Sequence, residues 1–179
     1  MKSLEIKGTL RNQTGKKANR EFRGADIVPC VLYGGKEHIH FTANENDFLK
    51  LVYTPHVYTV KLDVGDTTYD AIMKDIQFHP VTDKIMHIDF FRIYDDKKVT
   101  MPIPVKLHGL AKGVKEGGKL NLELRRLKIK ALPKDFPDQI DIDVENLDIN
   151  KTIKVGDQLL ENLELLDPVN AVVASVRVT

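Results

Sequence analysis

Residues Lys74–Ile93, "KDIQFHPVTDKIMHIDFFRI", decide how this chain folds. Pro80–Lys84 has the Pro, Thr and Asp of a turn, and apolar-rich runs flank it on both sides. The two runs predict a β-hairpin, residues 67–79 leading in and 85–94 returning. A strand sends successive side chains to opposite faces. Asp75, Gln77 and His79 therefore share one face, and so do His87 and Asp89. Antiparallel pairing would set these polar rows side by side. The alternate rows, Ile72/Ile76/Phe78 and Ile88/Phe90, are expected to supply the core. Ile85, Phe91 and Ile93 fall on the polar row, a mismatch that fits a barrel whose strand ends pass between environments.

Working outward, "LEIKGTL" (4–10) alternates and predicts a strand. Residues 11–29 are basic and Gly-punctuated, a loop around a short helix ending at Pro29. "CVLYGG" (30–35) and "HIHFT" (38–42) predict two strands joined by a turn. "NENDFLKLVYTP" (44–55) predicts a helix capped by Asn44 and stopped by Pro55. "VYTVKLDV" (57–64) is a further strand, closed by the turn pair Gly65–Asp66. "DDKK" (95–98) breaks the pattern, so the expected domains are 1–94 and 95–179. Beyond the break, strands are predicted at 99–109, where prolines suit an edge, and at 121–132, 139–147 and 170–179, with a Gly/Lys-rich loop at 110–120. The second half is expected to be all-β.

The net charge of +1 hides segregation. Residues 1–24 carry +5, residues 97–130 carry +8, and residues 131–168 carry −7. Basic segments set apart in this way suit a polyanionic partner, although each is also compatible with a solvated face. The single cysteine, Cys30, excludes an intrachain disulfide and a thiolate cluster. No apolar run suits a signal peptide or a membrane span, so a soluble cytoplasmic protein is expected. No cofactor motif is present.

Three chemistries compete for the hairpin. His79, His87 and Asp89 are types that bind zinc, but they lack the spacing of a known metal motif. His87 and Asp89 could form an acid–base pair, but they stand about 6–7 Å apart along a strand, with no nucleophile elbow or phosphate loop to complete a site. A polar strand face can also lie against the shallow minor groove of RNA, where Gln, His and Asp bond 2′-hydroxyls and base edges while Arg and Lys take phosphates. Against all three stands the plain alternative that these side chains bond only to one another on an exposed sheet.

The hairpin resembles that of the bacterial large-subunit ribosomal protein family that binds 5S ribosomal RNA, ribosomal protein twenty-five. "RNQTGKKANREFRGADIVPCVLYGG" is similar to the same family's run of Arg, Gly-Lys, spaced Arg and Pro-x-x-x-Tyr-Gly. "MPIPVKLHGLAKGVKEGGKL" resembles the start of the extra domain in the long form, also called general stress protein CTC. The resemblance implies a mainly β protein with short helices, a six-stranded β-barrel-like N-terminal domain and an all-β C-terminal domain. It implies structural RNA binding within the large ribosomal subunit, no catalysis, and no small-molecule substrate. The RNA contacts it implies are Arg11, Lys16, Arg20, Arg23, Tyr33, Gln77, His79, His87 and Asp89. Tyr33 could stack on a base or bond a sugar, or be a core tyrosine with a polar tip. Arg125, Arg126, Lys128 and Lys130 could touch further RNA or be a solvated strand face. The alternative function is an RNA-binding, stress-related β-barrel module acting off the ribosome. Two departures stand out. Cys30 takes the place of a small residue such as Ala, and Phe78 takes that of a basic residue in some members.

Overall fold

Alternating strands with one apolar face need a partner layer, and a sheet closed on itself supplies one. The computed structural model describes residues 2–11, 15, 20, 22–35, 37–157 and 163–178, and these fall into two units, Met1–Asp95 and Asp96–Thr179. In the first unit, β1 (Lys2–Leu10), β2 (Ile27–Tyr33), β3 (Ile39–Asn44), β4 (Tyr58–Val64), β5 (Thr67–Phe78) and β6 (Ile85–Arg92) close a barrel in the order β1-β3-β2-β6-β5-β4. The pairs β1–β4 and β2–β6 are parallel and the others antiparallel.

Local chemistry sets the corners. The β4–β5 hairpin turns through Gly65, whose φ of 64° is costly for other residues, and Val64 pairs with Thr67 across it. The helix Glu45–Val52 starts at Asn44, whose side chain accepts the Asn46 N–H at 3.0 Å. The helix buries Phe48 and Leu51 against the barrel core. Pro29, expected to end a loop, instead lies within β2 opposite Thr42.

The interior is aromatic and aliphatic. Phe90 is fully buried, with its ring centroid 5.8 Å from that of Phe41 and 6.1 Å from that of Phe48. Phe41 lies so close to Gly8 that a Cβ there would stand 2.6 Å from its ring. Cys30 is buried among these groups, and burial pushes its thiol far above the ordinary range. It packs as a small apolar side chain.

The hairpin corrects the predicted core rows. The β5–β6 register slips between Met73 and Asp75, and again between Gln77 and Phe78. Each slip is a one-residue bulge, at Lys74 on β5 and at Met86 on β6, and such a bulge reverses the parity of inward and outward side chains. Ala71, Met73 and Ile76 therefore all meet the barrel core, while Ile72, expected in the core, is buried at 1% exposure outside that cluster. Phe78 is 41% exposed and is no core residue. Ile85, which broke the predicted alternation, is in the core because the Met86 bulge turns it inward.

The second unit holds β7 (Val99–His108), β8 (Lys119–Leu122), β9 (Arg126–Ala131), β10 (Ile140–Asp143), β11 (Thr152–Lys154), β12 (Glu164–Leu165) and β13 (Val172–Arg177). They form a sheet β10-β7-β9-β12 and a sheet β11-β13-β8. A one-turn helix, Lys112–Lys115, and a 3₁₀ turn, Val155–Asp157, interrupt the expected all-β pattern.

β7 is central in its sheet, not the edge strand its prolines suggested. β10 pairs only with residues 105–108, so one side of 99–104 is open. The Val105 N–H points to β9, bonding Arg125 O at 3.0 Å. By alternation, the nitrogens of Pro102 and Pro104 point to the open side, where no ladder donor is needed.

The acidic stretch partly neutralises the basic one within this unit. Lys130 meets Glu164 at 3.3 Å, and Asp167 accepts instead from the backbone N–H of Lys128 at 2.6 Å. The inward and outward assignment in the barrel is testable by urea unfolding. Phe90→Ala should cost about 3–5 kcal/mol, and Phe78→Ala under about 1 kcal/mol. Equal costs would contradict the burial of Phe90 and the exposure of Phe78.

Candidate nucleic-acid interface

The bulges decide what the hairpin shows to solvent. Between them Gln77 faces His87 and Asp75 faces Asp89. Ile76, Ile88 and Phe90 occupy the barrel core, so this polar set lies on the outer face. Parallel pairing with β2 extends the row, because Val31 is opposite Asp89 and Tyr33 opposite Phe91. β3 continues it, with His40 opposite Val31, and the Arg11 N–H donates to His40 O at 3.0 Å.

His87 and Asp89 make one bonded unit. Although their positions are two residues apart, the side chains converge, with His87 Nδ1 2.8 Å from Asp89 Oδ1. The backbone separation that weakened the acid–base reading is bridged by side-chain reach. His87 is pushed below its ordinary pKa of 6.5, chiefly by burial, with the charges of Arg11 and Arg23 acting in the same direction and Asp89 opposing them. Neutral His87 therefore donates Nδ1–H to the Asp89 carboxylate and turns Nε2 outward as an acceptor.

The other predicted residues take distinct places. Arg23 donates from Nε to Met86 O at 3.2 Å, which ties it to the bulge beside His87. Arg20 is exposed. Arg11 is half-buried just past β1. Lys16 lies outside the described residues. Tyr33 sits edge-on to Phe91, with centroids 5.5 Å apart at 74°. Its hydroxyl pKa is raised by burial and then by Asp89 and Asp75, so its polar tip feels the acidic row.

His79 does not join His87 and Asp89. Its Nδ1 accepts the N–H groups of Val81 at 3.3 Å and Thr82 at 3.2 Å, while its backbone N–H donates to Lys84 O at 2.8 Å. His79 thus shapes the β5–β6 turn, leaving Nε2–H to face outward. The three ligands of the zinc reading do not converge. Among the described residues, no group of three or more His, Cys, Asp or Glu is placed to hold a metal. No described helix is long and apolar enough to cross a membrane.

Asp75, which alternation placed on this face but which is not among the predicted RNA contacts, lies in the row opposite Asp89. Lys84 is held by Asp26 at 2.7 Å, and this bond raises the lysine pKa.

The depressed pKa of His87 couples stability to pH. The unfolded chain takes the proton more readily than the folded one. The contribution of His87 is therefore complete above the unfolded value near 6.5, and is lost as pH falls through it towards the lower folded value. Asp89→Asn removes the opposing charge and should depress His87 further in an NMR titration. An upward shift would contradict the pairing.

Residues 6–90 match the model of the Ribosomal L25p family, and residues 98–179 match Ribosomal protein TL5, C-terminal domain. The chain is 51% identical to large ribosomal subunit protein bL25 of Azobacteroides pseudotrichonymphae, across 100% of this chain and 95% of that protein. It is 48% identical to large ribosomal subunit protein bL25 of Phocaeicola vulgatus and 49% identical to that of Porphyromonas gingivalis, in each case over 100% of this chain and 94% of the relative. With both segments matched in order and whole-length relatives near half identity, the chain belongs to the bL25 family of large ribosomal subunit proteins, structural components of the ribosome and not enzymes.

Proposed function

We propose that the unit spanning residues 1–94 binds 5S ribosomal RNA through the outer face of β5 and β6, with residues 95–179 as a separate C-terminal domain. The observation that carries this reading is the in-register set Gln77–His87 and Asp75–Asp89, locked by the 2.8 Å His87–Asp89 bond. A fixed row of acceptors and donors suits the minor groove of A-form RNA, which displays 2′-hydroxyls and base edges on a wide, shallow surface.

Each residue has a role in this scheme. His87 Nε2 accepts from a ribose hydroxyl, and Gln77 supplies both a donor and an acceptor. Asp89 orients His87 and can accept from an exocyclic amine. His79 offers Nε2–H at the end of the row, and Tyr33 offers its hydroxyl or ring. Arg11, Lys16, Arg20 and Arg23 take phosphates, which set register and affinity without reading sequence. The alternative of a stress-related module acting off the ribosome is not favoured by whole-length relatives that are large-subunit proteins.

The test is binding of the full chain to 5S ribosomal RNA and to transfer RNA across a salt series. A preference for 5S RNA that survives salt, and falls by about 1–3 kcal/mol in His87→Ala or Asp89→Ala, is expected. Arg23→Ala should lower the salt slope by about 1. Equal affinity for both RNAs, unmoved by the hairpin changes, would sink the assignment.

A further inference from the structure

The start of β2, the start of β6 and the β5–β6 turn enclose a cavity of about 240 Å³ that the sheet face does not use. Its floor is apolar: Ile27, Val28, Ile85 and Met86, of which Val28 and Ile85 are almost fully buried. Arg20, Arg23, His79, Thr82 and Lys84 also line it, with two carboxylates, Asp26 and Glu45.

The polar groups are held in place by bonds that leave part of each available. Arg23 uses Nε on Met86 O at 3.2 Å, and a guanidinium has further N–H donors. His79 Nδ1 is occupied by two turn amides, so its ring proton is on Nε2. Glu45 accepts the Ile85 N–H through Oε1 at 3.0 Å, and Asp26 holds Lys84 through Oδ1 at 2.7 Å; each carboxylate has a second oxygen. Asp26 is also fixed by its backbone, with φ at 56° and its carbonyl accepting the Glu45 N–H at 2.9 Å.

We propose that this cavity takes a single nucleobase, guanine by preference, turned out of the bound RNA. The inference rests on the RNA-binding reading of the adjoining face. The volume falls just below the ~300–1,000 Å³ of pockets for drug-sized ligands, which suits one base and little more. The apolar floor suits a ring face. Guanine presents O6 and N7 as paired acceptors for a guanidinium, together with ring and amino N–H donors for a carboxylate. Cytosine also has adjacent acceptors, O2 and N3, but its only donor is the N4 amine, so it cannot give a carboxylate the paired ring and amino N–H groups that guanine gives. The cavity is continuous with the polar row through Met86, which adjoins His87 in the chain and bonds Arg23. A nucleotide lying on the row can therefore reach the cavity by rotation about its backbone, at least cost where it is not held in a regular pair.

The test uses the full chain, with methyl NMR and RNA binding read together. Guanosine monophosphate at millimolar concentration should shift the methyl signals of Ile27, Ile85 and Met86, with cytidine monophosphate much weaker. Thr82→Phe places a ring in the cavity while keeping the backbone N–H that bonds His79. It should abolish the guanosine response and weaken 5S RNA binding about tenfold. Transfer RNA binding and the remaining barrel methyl signals should be unchanged. Thr82→Ser should behave as the wild type. The proposal is overturned if the wild type shows no guanosine shift, if cytidine shifts it equally, or if Thr82→Phe binds 5S RNA as the wild type does. Failure of the wild type to prefer 5S over transfer RNA would instead overturn the RNA-face reading, a separate result.

Discussion

The pairing of β5 with β6, with a one-residue bulge in each strand, is the constraint on which the N-terminal unit depends. The bulges fall at Lys74 and Met86. Each bulge changes which side chains face the core, so together they let one hairpin close a barrel while keeping a polar row outside. The inner row, with Ile76, Ile88 and Phe90, packs beneath the outer row of Asp75, Gln77, His87 and Asp89. Burial on one side of the strand thus holds the groups on the other side in fixed positions. A ligand that needs several hydrogen bonds at once gains from this, because little side-chain freedom remains to be lost on binding.

Electrostatics on this face is local rather than global. The whole chain carries only +1, yet His87 is held below its ordinary pKa, chiefly by burial, with Arg11 and Arg23 adding the smallest contributions in the same direction. Asp89 opposes that effect and also fixes the ring through Nδ1. The same surface can therefore attract phosphates at its margin and present neutral acceptors at its centre. In the second unit the opposite holds. There Lys130 of the basic strand β9 pairs with Glu164 of β12, and Asp167 beyond it accepts the backbone N–H of Lys128. That explains why strongly charged segments at 97–130 and 131–168 coexist in one unit.

Much of the fold was legible from local chemistry. The Asn44 cap, the Gly65 turn and the alternation of β4, β9 and β10 depend on neighbours in sequence, and such signals survive in any tertiary setting. The polar row was legible for the same reason, since Gln77, His87 and Asp89 follow a period of two. The short strands β11 and β12 were missed, because three and two residues carry too little periodicity to be recognised. The position of β7 was misjudged because proline reports only on its own nitrogen, and a strand can be open along one stretch and paired along the next.

The sequence by itself determined the strand content, the main turns, the break near residue 95, the segregated charges and the family resemblance, all properties of residues read in order. Only the tertiary structure decided the barrel order, the two bulges, the inward turn of Ile85 and the exposure of Phe78. It also separated His79 from His87 and Asp89, by spending its Nδ1 on the turn amides. The physical reason is the same in each case. A strand's alternation fixes which residues share a face, but the register of its partner fixes which face is inside. Register depends on contacts between residues distant in the chain.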